Sequence, residues 1–116
     1  MASGLTVESR EDGNACVLAL MGELSLADAS ALERRLEQVL TTNATTIVVD
    51  LAGVEFIDST GLSVLVRAQQ QASERGIELG VANPNAQAAR LLSLTGLAER
   101  LTIPDPTASK PRDLQG

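Results

Sequence analysis

Histidine, tryptophan and tyrosine are absent from this chain of 116 residues, and Phe56 is its sole aromatic residue. Without histidine, the commonest general base and the commonest metal ligand are both missing. Without aromatic platforms, stacking of nucleic-acid bases has nothing to rest on, and a net charge of −6 repels a polyanion. Cys16 is the single cysteine, so no disulfide can close within the chain. Lying in the apolar run 15–21, it reads as a buried thiol. No window approaches the roughly 18 apolar residues of a membrane span. The opening residues MASGLTVESREDG lack the basic-then-apolar order of a secretory signal. These absences predict a cytoplasmic protein with no metal, no cofactor, no nucleic-acid partner and no membrane insertion.

What remains is aliphatic. Apolar residues make up 44% of the chain, enough for one ordinary domain with a core of Leu, Val, Ile and Ala. Leu5 to Arg10 alternates as a half-exposed strand, and Glu11, Asp12, Gly13 and Asn14 supply a turn into the next one. Cys16 to Met21 is apolar at every position, the pattern of a central strand covered on each side. Ile47 to Val49 repeats that pattern, and Ile77, Leu79 and Val81 alternate with Glu78 and Gly80. Between the strands the period changes to that of helices. Ser25 and Asp28 have the spacing of a capping box ahead of Leu32, Leu36, Val39 and Leu40. A second helix runs from Ser59 to a stop at Gly76, with Leu62, Leu65, Val66 and Ala72 on one stripe. A third takes Asn83 as N-cap and Pro84 as its first residue, and ends before Gly96. The order β, β, α, β, α, β, α implies an α/β protein with helices packed on a mixed sheet. Residues 1–103 read as one domain, and residues 104–116, rich in proline, as an irregular tail.

FIDSTGLSVL, residues 56–65, places Asp58, Ser59, Thr60 and Gly61 where a strand gives way to a helix. Asp and Ser there are ordinary N-caps, because their oxygens accept from backbone donors that have no partner within the helix. A second use is open to the same residues. The helix N-terminus carries partial positive charge and free donors, so it would tolerate a phosphate on Ser59. Such a phosphate adds about −1.5 to −2 charge beside Asp58 and changes what can dock there. Gly61 costs roughly 1 kcal/mol of helix propensity relative to Ala, which suggests a close approach by a partner. At about 100° per residue, Val64 lies opposite the apolar stripe, with Ser63, Arg67 and Gln71 around it, and is a docking candidate. A nucleotide-binding or catalytic use has little to rest on. There is no GxxxxGK run, and Asp50 and Asp58 read as a strand-end residue and a cap rather than an acid and base pair.

GEL at 22–24, IVVDL at 47–51, FIDSTGLSVL at 56–65 and TGL at 95–97 resemble a STAS domain, specifically a bacterial anti-sigma-factor antagonist. The resemblance spans residues 5–101. It implies the STAS fold, a mainly parallel mixed sheet of four to five strands with three to four helices. It implies a binding protein rather than an enzyme: a phosphorylation-switched antagonist that, unphosphorylated, sequesters an anti-sigma factor with serine kinase activity and so releases a sigma factor. By that likeness Ser59 is the phosphoacceptor, Thr60 an adjacent hydroxyl and occasional second site, and Asp58 orients the pair. A PP2C-like phosphatase would restore the active form. The expected partner face comprises Ser25, Asp58, Ser59, Thr60, Gly61, Ser63, Val64 and Arg67. Ser25 stands where many such antagonists carry Asp. The expected assembly state is a monomer or weak dimer. A STAS subunit of an ABC-type lipid transporter, docking on its ATPase, is the alternative that keeps this fold.

Overall fold

A computed structural model describes residues 4–103. The tail expected over 104–116 lies outside the described residues. Strands β1 (Leu5–Asp12) and β2 (Ala15–Leu24) form the anticipated hairpin, turning at Gly13 and Asn14. A 3-10 turn, Leu26–Asp28, leads into α1 (Ala29–Leu40). Then follow β3 (Thr46–Ile57), α2 (Ser59–Glu74), β4 (Glu78–Ala82), α3 (Ala86–Leu94) and a short α4 (Ala98–Leu101). The sheet order is β1-β2-β3-β4, antiparallel for the first pair and parallel for the other two. This is the expected mixed, mainly parallel sheet. Thr102 adds a parallel bridge to Val81 beyond β4.

The four helices share one core with one face of the sheet. Leu18, Leu20 and Leu24 of β2 meet Leu32 and Leu36 of α1, Leu65 of α2 and Leu101 of α4 there. Each fully buried Leu stabilises the fold by about 1.5–3 kcal/mol. The other face carries a smaller cluster of Val17, Val48 and Ala82, against which Ile103 packs. The expectation that β2 is covered on both sides is therefore met only at its start. Ala19 is half-buried and Met21 exposed, because the helices all lie opposite them.

Strand β3 is irregular in a way that aims its far end. Opposite Ala19 and Met21 it uses Asp50 and Gly53, three steps against two, and opposite Gly22 and Glu23 it uses Val54 and Phe56. Each extra residue is a bulge that shifts the inward set by one. The residues facing the core are consequently Ile47, Val49, Leu51, Val54 and Ile57, first two and then three apart. Asp50 holds the first bulge, its Oδ1 accepting from the Ala52 N–H at 2.9 Å and from Asn83 Nδ2 at 3.0 Å. Asp50 is thus a bulge residue within β3 and not a strand end.

Helix starts were less legible than helix stops. At Gly76 (φ 74°) and Gly96 (φ 76°) the chain turns left-handed, as expected. At the second stop the Leu97 N–H donates to Leu92 O at 2.9 Å and the Gly96 N–H to Ser93 O at 3.1 Å. The anticipated capping box does not form. Neither Ser25 nor Asp28 makes a side-chain cap, because residues 26–28 take a 3-10 turn first, in which the Asp28 N–H donates to Ser25 O at 3.0 Å and not to the Ser25 hydroxyl. In α3 the cap is Asn85, not Asn83. Asn85 Oδ1 accepts from the Ala88 N–H at 2.8 Å, while Asn83 sits at φ 59°, a conformation Asn tolerates.

Candidate functional site

The last residues of β3 deliver Asp58 to the start of α2 in extended conformation (φ −105°, ψ −177°), the geometry an N-cap requires. Its carboxylate divides between two elements. Oδ1 accepts from the Gly61 N–H at 2.9 Å and Oδ2 from the Leu26 N–H at 3.3 Å. Its backbone is held as well, the N–H donating to Leu24 O at 3.1 Å and the carbonyl accepting from Leu62 at 3.0 Å. Asp58 therefore ties the end of β2, the turn after it and the first turn of α2 into one unit. That use leaves it a structural anchor of the site.

Ser59 is the first residue of α2 and is exposed, whereas Thr60 is half-buried and Gly61 buried. Among the described residues the backbone N–H groups of Ser59 and Thr60 have no protein acceptor, so the positive end of a helix of 16 residues is open there. One turn on, the Ser63 hydroxyl donates to Ser59 O at 2.9 Å. From Ser59 a groove of about 390 Å³ runs between α2 and the turn after α3. Leu62, Val66 and Leu97 supply apolar lining, and Ser63, Arg67 and Thr95 polar lining. Arg67 is fixed by an ion pair to Glu33 of α1, Nη1 to Oε2 at 2.8 Å.

Two residues expected on the partner face are instead internal. Val64 is 6% exposed and belongs to the core. Gly61, Leu62, Val64, Leu65, Ala68 and Ala72 bury an arc of about 160° at 100° per residue, wider than a single stripe, because α2 contacts α1 as well as the sheet. Gly61 permits a close approach within the protein, not of a partner. A Cβ there would meet Leu24 O and Leu24 Cγ, both at 2.6 Å.

The structure brings Ser25, Asp58 and Ser59 together through the Leu26 to Asp58 bond, and places Ser59, Ser63 and Arg67 along the groove. Outside the groove lining, the structure exposes apolar side chains that the sequence reading did not single out as surface residues: Leu26 is 72% exposed, Leu94 73% and Phe56 44%. Phe56, the sole aromatic, sits two residues before Asp58 and was a signal available from the start. Among the described residues no group of three or more His, Cys, Asp or Glu side chains could hold a metal. No helix among them is long and apolar enough to cross a membrane. Cys16, away from this site, is buried beside Thr41 and Thr42, and its thiol is pushed up by burial first and by Glu11 second, against the pull of Arg35.

Comparison with known proteins agrees with this fold. The family model described as "Mlab, STAS domain" matches residues 7–104. The anti-sigma-F factor antagonist RsfB of Mycobacterium tuberculosis is 32% identical over 93 residues, covering 80% of this chain and 75% of that protein. The crystal structure of an anti-sigma factor antagonist from Mycobacterium paratuberculosis superposes with a TM-score of 0.79 at 27% identity, over 90% of this chain and 87% of that one. The anti-sigma factor antagonist SpoIIAA in its unphosphorylated form shares the fold, with a TM-score of 0.74 at 16% identity over 86% of this chain and 88% of that one.

Proposed function

This chain belongs to the STAS-domain family, and from that premise we propose that it is an anti-sigma-factor antagonist switched by phosphorylation of Ser59. Within the Asp-Ser-Thr-Gly run, Ser59 is the one exposed residue, standing at the lip of the groove, and this observation carries the reading. Asp58 is committed to two backbone donors and Gly61 to contact with Leu24, so modification of Ser59 leaves the scaffold intact. The chain is a binding protein and the substrate of an enzyme, not an enzyme. The partner is an anti-sigma factor with serine kinase activity, which transfers a phosphoryl group from ATP to Ser59 Oγ, ADP leaving and the hydroxyl proton passing to a base of the kinase. A PP2C-like phosphatase reverses the step by hydrolysis, in the cytoplasm.

The open N–H groups of Ser59 and Thr60 and the helix dipole stabilise the phosphate by roughly 0.3–1 kcal/mol. A partner seated on the groove meets about −1.5 to −2 of added charge at its edge. The fold tolerates that charge; the docked surface does not. Incubation with the kinase and ATP, followed by mass spectrometry, should place phosphate on Ser59. Calorimetry should find Ser59→Ala bound as tightly as the parent and Ser59→Asp bound at least tenfold more weakly. Modification elsewhere with Ser59 untouched, or equal affinity of the two variants, would refute the switch. Docking on a transporter ATPase would use the same helix end without phosphorylation, but the curated relative and the similar structures named above are antagonists.

A further inference from the structure

Strand β3 outruns β4. The last β4 pairing is Asp50 with Ala82, which leaves residues 51–57 without a strand on that side. Backbone groups there need partners, since an unpaired polar group removed from water is costly. Two amide side chains at the start of α3 provide them. Asn85 Nδ2 donates to Val54 O at 2.9 Å and to Glu55 O at 3.2 Å. Gln87 makes the closer imitation of a strand: its Oε1 accepts from the Ile57 N–H at 3.0 Å, and its Nε2 donates to Ile57 O at 2.8 Å. One side-chain amide thus pairs with both backbone groups of a single residue, as the opposing residue of an antiparallel strand would. Ile57 is two residues before Ser59.

Helix α3 is about 13 Å long at 1.5 Å per residue. It is anchored in the core by Ala88 and Leu92. Its first turn carries Gln87, at the base of the Ser59 junction. Just past its other end lie Thr95 and Leu97, which line the groove opposite Ser59. We propose that Gln87 is a positioning residue that couples the Ser59 junction to α3, so that a change at Ser59 reaches the Thr95 to Leu97 wall of the groove. This rests on reading Ser59 as the switch. A bidentate pair resists both sliding and rotation of Ile57 relative to α3, which a single bond would not. Junction and wall then move as one body, and a partner reads both together.

The test needs neither kinase nor partner, so its outcome is separate from that of the phosphorylation assay. Amide chemical shifts of the full chain are compared between parent and Ser59→Asp, and again in a Gln87→Met background, where length is kept and both polar groups are lost. In the parent background Ser59→Asp should move the amides of Ile57, Thr95, Gly96 and Leu97. With Gln87→Met the changes at 95–97 should fall at least threefold, while those within the first turn of α2 persist. Equal changes at 95–97 in both backgrounds would mean that the charge acts across the groove, and would overturn the proposal. Should Gln87→Met not fold, Gln87→Glu takes its place, keeping the acceptor for Ile57 N–H and losing the donor to Ile57 O. Hydrogen exchange at Ile57 gives an independent reading. Gln87→Met should speed it at least tenfold and Gln87→Glu much less, whereas equal exchange in parent and Gln87→Met would show that the pair is not formed.

Discussion

Gly61 of α2 stands against Leu24 of β2 so closely that a methyl group on it would lie 2.6 Å from the Leu24 carbonyl oxygen. Backbone cannot step aside as a flexible side chain can. Alanine in a helix is favoured over glycine by about 1 kcal/mol. Here overpacking, typically about 1–3 kcal/mol, outweighs that gain. Gly61→Ala should therefore be destabilised in urea unfolding, and a variant as stable as the parent would show that the helix can ride up off β2 without cost.

Val64 and Arg67 share a flank of α2 but do opposite things. Val64→Ala removes buried methyls and should cost about 2 kcal/mol. Arg67→Ala breaks an exposed ion pair with Glu33 and should cost at most about 1 kcal/mol. In a binding assay against the anti-sigma factor the order reverses: loss of Arg67 weakens association by altering the groove, while Val64→Ala binds normally at temperatures where it remains folded. Comparing denaturation midpoints with calorimetric affinities for both variants checks this. Equal stability losses would contradict the burial of Val64.

Asp58→Ala removes one acceptor from two backbone donors at once. Loss of the cap alone is worth about 0.5–2 kcal/mol. The distinguishing result is in hydrogen exchange: the amides of Gly61 and Leu26, which are 35 residues apart in number, should both lose protection. Loss at Gly61 alone would mean that the bond to Leu26, at 3.3 Å, contributes nothing.

Cys16 gives the protein an alkaline limit. Burial holds the thiol protonated to higher pH than in the unfolded chain. Its contribution is fully present below the unfolded thiol pKa, near 8.5–9, and is lost as pH rises through the folded value. Stability should fall above about pH 9, and Cys16→Ala should flatten that limb. Native protein at pH 8 should react with a thiol reagent far more slowly than protein in urea.

The stops of α2 and α3 were readable because Gly76 and Gly96 supply a left-handed residue where it is needed, a property of one position and its immediate neighbours. The hairpin turn at Gly13, the alternation in β4 and the Asp58 cap were readable for the same reason. The failed capping box at Ser25 shows the limit: the turn that replaces it is tied at the Leu26 N–H by Asp58, 32 positions along the chain. The bond between Gln87 and Ile57 joins residues 30 apart, and nothing in α3's own pattern announces it.

The order of the elements from β1 to α3, the glycine stops of α2 and α3 and the strand-to-helix junction bearing Ser59 were thus determined by the sequence itself, since dihedral preference, capping chemistry and hydrophobic period act over a few residues. Which face of α2 is free, why Gly61 is glycine, how β3 is bulged and what holds Ile57 were decided only by tertiary structure. Helical period describes one helix against one surface. It does not count neighbours, and it was the second neighbour, α1, that buried Val64 and left Ser59, Ser63 and Arg67 along the groove.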